Sequence, residues 1–599
     1  MNSLNLHRPW QFLMAAFLIP LLAFFLACGP GEEPTPTPTA TATKAPAATP
    51  TATPTATPLA TATPTRPGPA ATPTPTSVAA PTPTPTPGEQ PQRGGTLQLL
   101  PGIFTPNFDI QIFSVTPDYF ATTGKLYNNL FVNYSGEVVE CEICSEKGWR
   151  LENNGKAMVF DLLPGIKFHS GKELTSADVA YSLKMIMGDV DGIASTRSGL
   201  LKDYVQSIET PSKYALKINL VRPSAFVPYI LSMAAAAIYQ EGTTRESLNT
   251  KDAGTGPFIV SKIVPGAQWS LVRNPDYFKP GKPYADGAEI TVVADAGTRT
   301  AAFFTHKVQW LAVGDKQYAD KINQLKAKGS IYEVWDLGGG PRVILMNTQK
   351  PPFNDLRMRQ AVNLSMDRAA VAAVRFRDSM RTQHVNVFFY NEGAEYSTPP
   401  DQVWNIYPGW GTGAKKQQEI EQAKQLVKDA GYPNGVDVLQ LVRPPLAGSD
   451  YIPEYFQQVW NDIGIRNKLD IPGSADQFQS KASSLDYQIA SFGFALSIWD
   501  PEEVVGSYFV TGAARNWTGY SNKEVDSLYL QLSSELDPVK RKELFFKVRD
   551  IATKDVAIGF NINAVGPTFV WSELKGFTAP RTIGFMNGIQ RADRLWFKR

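Results

Sequence analysis

The chain has 599 residues, 43% apolar and 19% charged, and its 58 basic and 56 acidic side chains leave a net charge of +2. That length fills two or more ordinary domains, and the near-neutral balance argues against a nucleic-acid binder, which carries a basic excess or stripe. Three cysteines exclude a disulfide-dense scaffold and argue against an iron–sulfur protein, and four histidines leave little for metal chemistry, so no cofactor or metal site is expected.

The first hundred residues read as an address and a tether. His7 and Arg8 precede an apolar run from Phe12 to Ala27, interrupted by Pro20 and ending at Ala27-Cys28-Gly29. A weakly basic start, a short apolar segment and small residues at the cut are the layout of a secretory signal over residues 1–27. The end of the run resembles a bacterial lipobox, with Phe25 in the usual leucine position and Leu26 where a smaller residue is usual. That resemblance implies lipidation of Cys28 as the mature N-terminus; the alternative is an uncleaved membrane anchor. Both put the rest of the chain outside the cytoplasm. Residues 28–93 form the tether: from Pro34 to Gly88 the chain is mostly Pro, Thr and Ala, with Lys44 and Arg66 as its only charges. Such a segment buries too little apolar surface to offset its ordering entropy. At about 3.1 Å per residue it could hold a domain on the order of 150 Å from a membrane.

Globular composition begins after Arg93. Gly94-Gly95 followed by Thr96 to Leu100 reads as a turn and a strand, and Met158 to Leu162 as another strand closed by Pro164-Gly165. Thr175, three before Asp178, opens a helix through Val179, Leu183 and Met187. Asn354 is expected to cap a helix carrying Met358, Val362 and Met366. Ile420, Ala423, Leu426 and Ala430 keep helical spacing until Gly431 and Pro433 stop it. Ser521 with Glu524 is expected to start the next helix, Asp537-Pro538 another with Leu544, Val548 and Ile551 on one face, and Ala557 to Asn563 a strand. Strands and helices mix throughout, which predicts an α/β or α+β layered fold.

Several blocks in this part resemble the bacterial extracellular solute-binding proteins, family 5. They are Arg93-Gly94-Gly95-Thr96-Leu97, then Trp149-Arg150-Leu151-Glu152-Asn153-Asn154-Gly155, then Phe160 to Lys172 with Leu174 to Val179. Gly254-Thr255-Gly256-Pro257-Phe258, Arg273 to Phe278, Pro352-Phe353-Asn354-Asp355, Arg359-Gln360-Ala361, Asp367-Arg368 and Ala430 to Gly435 follow in family order. The resemblance covers nearly all of Gly94 to Arg599. It implies an α/β, two-lobed periplasmic-binding-protein type II fold with an extra subdomain in the first lobe. The first lobe would span 94–337 with an inserted subdomain at about 121–253, the second lobe 338–561, and residues 562–599 would return to the first lobe. Gly338-Gly339-Gly340-Pro341 falls where a hinge crossing is expected. His169 sits between a strand and a helix, where a local hydrogen bond is expected rather than a ligand.

The resemblance also points to a ligand loop, Gly493-Phe494-Ala495-Leu496-Ser497-Ile498-Trp499-Asp500-Pro501. Peptide-binding relatives carry an aspartate four residues before the proline, paired with the ligand's α-ammonium; here that position is Ser497. A neutral hydroxyl cannot replace a buried carboxylate as counter-charge, so the usual peptide pose is in doubt. Shifting the alignment offers Asp500, which is more simply a turn residue. The stretch Asn386, Phe388, Phe389, Tyr390 and Asn391 falls where relatives line the pocket, and with Phe494 and Trp499 it suggests an apolar or stacking site. The ligand-binding candidates are therefore Ser497, Trp499, Phe494, Asp500, Tyr390 and Phe388, with core packing as the alternative for each aromatic.

Cys141-Glu142-Ile143-Cys144 can be a redox pair, half a metal site or a local disulfide; outside the cytoplasm the disulfide is favoured. The chain contains no HExxH, no GxSxG elbow and no phosphate loop, so no enzyme is expected. The expected protein is a lipid-anchored monomer at the outer face of the cytoplasmic membrane. It would capture a peptide-, oligosaccharide- or chelate-like ligand and deliver it to the permease subunits of an ABC importer. An extracellular ligand sensor, or a secreted hydrolase, is the alternative.

Overall fold

A computed structural model describes residues 90–102, 107–112, 124–133, 139–193, 195, 198–312, 315–335, 342–375, 382–385, 396–397, 407–444, 453–494, 498, 500–560, 562–577 and 591–599. Cys28 and the tether up to residue 89, Gly338 to Pro341, Phe388, Tyr390, Ser497 and Trp499 lie outside the described residues. Among the described residues, no helix is long and apolar enough to cross a membrane.

Among the described residues the larger sheets form two groups, here the first and second lobes, and the two-stranded sheet of Thr382–Val385 with Ile562–Val565 runs between them. In the first lobe, Thr96–Leu99 pairs in parallel with Gly287–Thr291, and Gln268–Arg273 and Phe258–Val264 extend the sheet antiparallel. A second, antiparallel sheet of Cys144–Glu152, Ala157–Leu162, Ala215–Leu220 and Val205–Ser212 carries its own core. Ala157–Leu162 alternates buried and half-buried positions, as expected where one face of a sheet meets a core. The helix that covers this core, Ser176–Met187, starts at Thr175 with a full capping box to Asp178 and stops at Gly188 in the left-handed region. A third sheet joins Trp310–Ala312 and Ile331–Trp335 to Pro567–Trp571, so a late stretch of the chain pairs back onto strands some 230 or more residues earlier.

The second lobe is built on a five-stranded sheet in the order Ile465–Asp470, Val436–Val442, Ile489–Gly493, Arg342–Met346, Ile558–Phe560. Its first three strands run parallel. Apolar cores lie on both faces, which explains the nearly continuous apolar run of the central strands.

Two helix starts differ by one residue from the sequence expectation. Asp355, not Asn354, caps Leu356–Ser365, its carboxylate accepting from the Arg357 N–H. Asn522, not Ser521, caps Lys523–Ser534, accepting from Glu524 and Val525. In both pairs the neighbours are equally good cap types, and only the backbone entry angle decides between them. The expected strand Ala557 to Asn563 is two strands: Ile558–Phe560 pairs with Arg342–Met346, whereas Ile562–Val565 pairs with Thr382–Val385.

Two first-lobe features tie remote segments together. His169 turns Nε2 to the Gly256 carbonyl at 3.0 Å and Nδ1 to Asp252 at 2.5 Å, both long-range contacts, so its bond is not the local one expected. The Gly254-Thr255-Gly256 block lies directly on the backbone of Leu126, whose carbonyl accepts the Gly256 N–H at 2.9 Å. Elsewhere Cys141 and Cys144 are joined in a disulfide, and the side chain of Glu142 between them is fully buried. It accepts from Asn128 at 2.7 Å, Lys279 at 2.7 Å and the Asn129 N–H at 3.1 Å, and also from Arg591 of the returning chain end. Burial opposes this charge, but Arg591 and Lys279 outweigh it and hold the carboxyl at about 2.

A methyl group on Gly254 would meet the Leu126 carbonyl oxygen at 1.9 Å, and backbone cannot step aside as a side-chain tip can. Gly254→Ala is expected to destabilise the protein by about 2–3 kcal/mol or prevent folding. Urea unfolding of the variant checks it; a loss below about 0.5 kcal/mol would show that this contact is slack.

Candidate functional site

In open α/β sheets, ligands bind beyond the carboxyl ends of the parallel strands. In the first lobe, Thr96–Leu99 and Gly287–Thr291 end beside a cavity of about 270 Å³. Leu99 to Gly102, Ile290 and Trp310 to Ala312 supply a mostly apolar wall, with Gln98, Arg299 and Thr568 as its polar members. The Arg299 guanidinium is anchored to the Val293 and Ala294 carbonyls at 2.5 and 2.8 Å. In the second lobe, Ile489–Gly493 runs into the ligand loop, which ends at the helix Pro501–Tyr508.

The described part of that loop is held at both ends, in different cores. Phe494 is buried in the second-lobe core, its ring 4.1 Å from Tyr508 and 5.3 Å from Phe492 between centroids. Ile498, four residues on, is buried in the core of the first lobe's second sheet, with Tyr204, Phe226 and Ile230. The Ile498 N–H donates to Glu503 at 2.5 Å. Phe494 therefore enters the site as packing beneath the loop.

Asp500 closes the loop as the N-cap of Pro501–Tyr508, accepting from the Glu502 N–H at 2.8 Å. Asp500 is 4% exposed, and the same carboxylate oxygen also accepts from Arg541 at 2.7 Å. Arg541 reaches in from the long helix Pro538–Asp555 and donates to the Leu532 and Glu535 carbonyls as well. Burial works against the guanidinium, but Asp500 and Glu502 raise its pKa above the usual arginine value. With its Oδ1 accepting from both the cap N–H and Arg541, Asp500 positions the loop.

The next residue in this network was not singled out from the sequence. Glu502 is 1% exposed and accepts a hydrogen bond from Tyr204 of the first lobe. Tyr204 also stands 3.4 Å from the Tyr529 hydroxyl and stacks under Arg222, whose guanidinium lies 4.4 Å from the ring centre. Arg541 is 3.5 Å from the other Glu502 oxygen, too far for a strong hydrogen bond. Burial, reinforced by Asp500, pushes the Glu502 carboxyl up to about 8, and the weaker pull of Arg541 does not reverse it. The paired glutamates after Asp500-Pro501 were the available signal; in sequence they look like ordinary acidic residues at a helix start.

Among the described residues, no group of three or more His, Cys, Asp or Glu side chains is arranged to hold a metal ion.

Removing Arg541 leaves Asp500 and Glu502 buried together with no cation in contact among the described residues. Arg541→Ala is therefore expected to cost about 3–5 kcal/mol. Chemical unfolding reads this; a cost under about 1 kcal/mol would mean that the loop base does not depend on the pair.

Comparison with known proteins gives a consistent picture. The model of Bacterial extracellular solute-binding proteins, family 5 Middle, matches residues 145–516. Heme-binding protein A of Haemophilus influenzae is 23% identical over 464 residues, 71% of this chain and 79% of its own length. The dipeptide-binding protein of Escherichia coli is 22% identical over 473 residues, 73% of this chain and 83% of its own. Among solved structures, a periplasmic binding protein of Helicobacter pylori in complex with the peptide STSA superposes with TM-score 0.69 at 20% identity, covering 85% of this chain and 99% of its own. A Staphylococcus aureus protein in complex with Ni(L-His)2 gives TM-score 0.63 at 17% identity, covering 84% of this chain and 100% of its own.

Proposed function

Because the chain belongs to the bacterial extracellular solute-binding proteins, family 5, we propose that it captures a peptide-, oligosaccharide- or chelate-like solute between its two lobes and hands it to the permease subunits of an ABC importer. The observation that carries this reading is the ligand loop, whose Phe494 belongs to one lobe's core and whose Ile498 belongs to the other's. A segment anchored on both sides of a cleft senses whether the cleft is shut. The permease would then recognise the closed form over the open one, and delivery needs no covalent step.

The division into lobes belongs to this proposal: 94–337 with 562–599, hinged to 338–561. So do the contacts of Ser497, Trp499, Phe388 and Tyr390. With Ser497 in the position where relatives carry an aspartate, the ligand's recognition does not centre on a free α-ammonium. Asp500, already paired with Arg541, does not substitute for it. The protein works as a monomer, lipid-anchored through Cys28 and displayed by the 28–93 tether outside the cytoplasm.

Two measurements test the proposal. A thermal-shift screen against free-amine peptides, oligosaccharides and metal chelates should give a saturable rise with an oligosaccharide or chelate, equivalent to about 2.7 kcal/mol at a hundred times the dissociation constant. A rise confined to free-amine peptides would contradict the role given to Ser497, and no rise across the panel would contradict capture of these classes. Expressed in a bacterium, Cys28→Ser should move the protein from the membrane to the soluble fraction; retention at the membrane would point to the uncleaved apolar segment instead.

A further inference from the structure

The buried carboxyl of Glu502 sits where the two lobes meet, and its cover comes from the opposite lobe. Tyr204 of the first lobe bonds one oxygen, and Ile498 beside it is inserted into the first lobe's core. We propose that Glu502 couples closure of the lobes to uptake of one proton, because the carboxyl is removed from water only when Tyr204 covers it. This rests on the capture reading, in which the lobes part and close.

The charges around Glu502 are few. From its own turn come Asp500 and Glu503; Glu503 accepts the Ile498 N–H and lies 3.7 Å from Arg515. The helix Pro538–Asp555 contributes Arg541, whose 2.7 Å bond goes to Asp500 while Glu502 is left at 3.5 Å. The helix Lys523–Ser534 contributes the Tyr529 hydroxyl. From the first lobe come Tyr204, Arg222 over its ring and Asp203, whose carbonyl accepts from Arg222 at 3.4 Å. Arg541, the one cation in contact among the described residues, thus faces two carboxylates and is taken by Asp500. The acid left over is cheapest to bury neutral.

Burial raises the carboxyl from its ordinary value of 4.5 to about 8 in the closed seam. Below 4.5 the group is neutral in both forms and does not oppose closure. As pH rises the open form loses its proton first, and closure is progressively disfavoured until the closed form also ionises at about 8. Between these limits the closed-to-open ratio falls by at most about tenfold per pH unit.

Hydrogen exchange of the ligand-free, full-length protein tests this, because no ligand enters the measurement. Protection of the segments around Tyr204 and Val504–Tyr508, corrected for intrinsic exchange rates, is followed from about pH 6 to about pH 9. The expected result is a fall of tenfold or more in the wild type and a flat profile in Glu502→Gln, which carries a neutral carboxamide of the same shape. Tyr204→Phe keeps the carboxyl but loses the bond that favours its ionised form. It should therefore keep the fall and move its midpoint to higher pH, which covers the case in which Glu502→Gln does not fold. A flat wild-type profile, a fall that survives Glu502→Gln, or an unmoved midpoint in Tyr204→Phe overturns the proposal. Failure here with a positive ligand screen removes only the proton coupling, whereas a negative screen with the expected pH profile removes only the proposed ligand classes.

Discussion

A carboxylate cannot stay charged inside a protein without a partner. At the base of the ligand loop two carboxyls, Asp500 and Glu502, are buried within reach of one guanidinium, that of Arg541. Much of the seam follows from how that shortage is resolved. Asp500 takes Arg541 and the helix cap, which fixes where the loop ends and the helix begins. Glu502 is left to be buried by the opposite lobe, under Tyr204. The loop between Phe494 and Asp500 is thus held by an apolar anchor on each side and an ion pair at its foot.

The same logic recurs in the first lobe with a different outcome. Glu142 is as deeply buried as Glu502, yet Lys279 and Arg591 both donate to it directly, and it remains ionised. The difference lies in the count of cations in contact. Glu142 is enclosed by elements of one lobe and the returning chain end, and it holds the disulfide-bearing turn to them. Glu502 is enclosed by two lobes, so its environment changes if they move.

Much of the fold was legible in the sequence because its determinants are local. Thr175 with Asp178, Asp537-Pro538 and Gly431 specify helix ends through neighbours within four residues, and the ordered blocks from Arg93 to Gly435 carried the family resemblance. Local rules lost resolution where two cap-competent residues stood side by side, at Asn354-Asp355 and Ser521-Asn522. They also missed the sheet switch between Phe560 and Ile562, which depends on remote strands. The site was legible only as a loop. Asp500, a ligand candidate with a turn role as its simpler reading, caps a helix, and Phe494, a ligand candidate with core packing as its alternative, lies in the core. Tyr204 and Glu502 escaped because they are 298 residues apart and neither carries a pattern of its own. His169 was read as a local hydrogen-bonder, but its partners are more than eighty residues away.

Tyr204 and Glu502 meet where the lobes meet, and a double-mutant cycle tests that contact most directly. Tyr204→Phe, Glu502→Gln and the double variant would be compared with the wild type by urea unfolding near neutral pH. Residues in contact should show a coupling energy of about 0.5–3 kcal/mol. Losses that add within about 0.3 kcal/mol would mean that the two side chains do not meet, and that the seam is not closed through this pair.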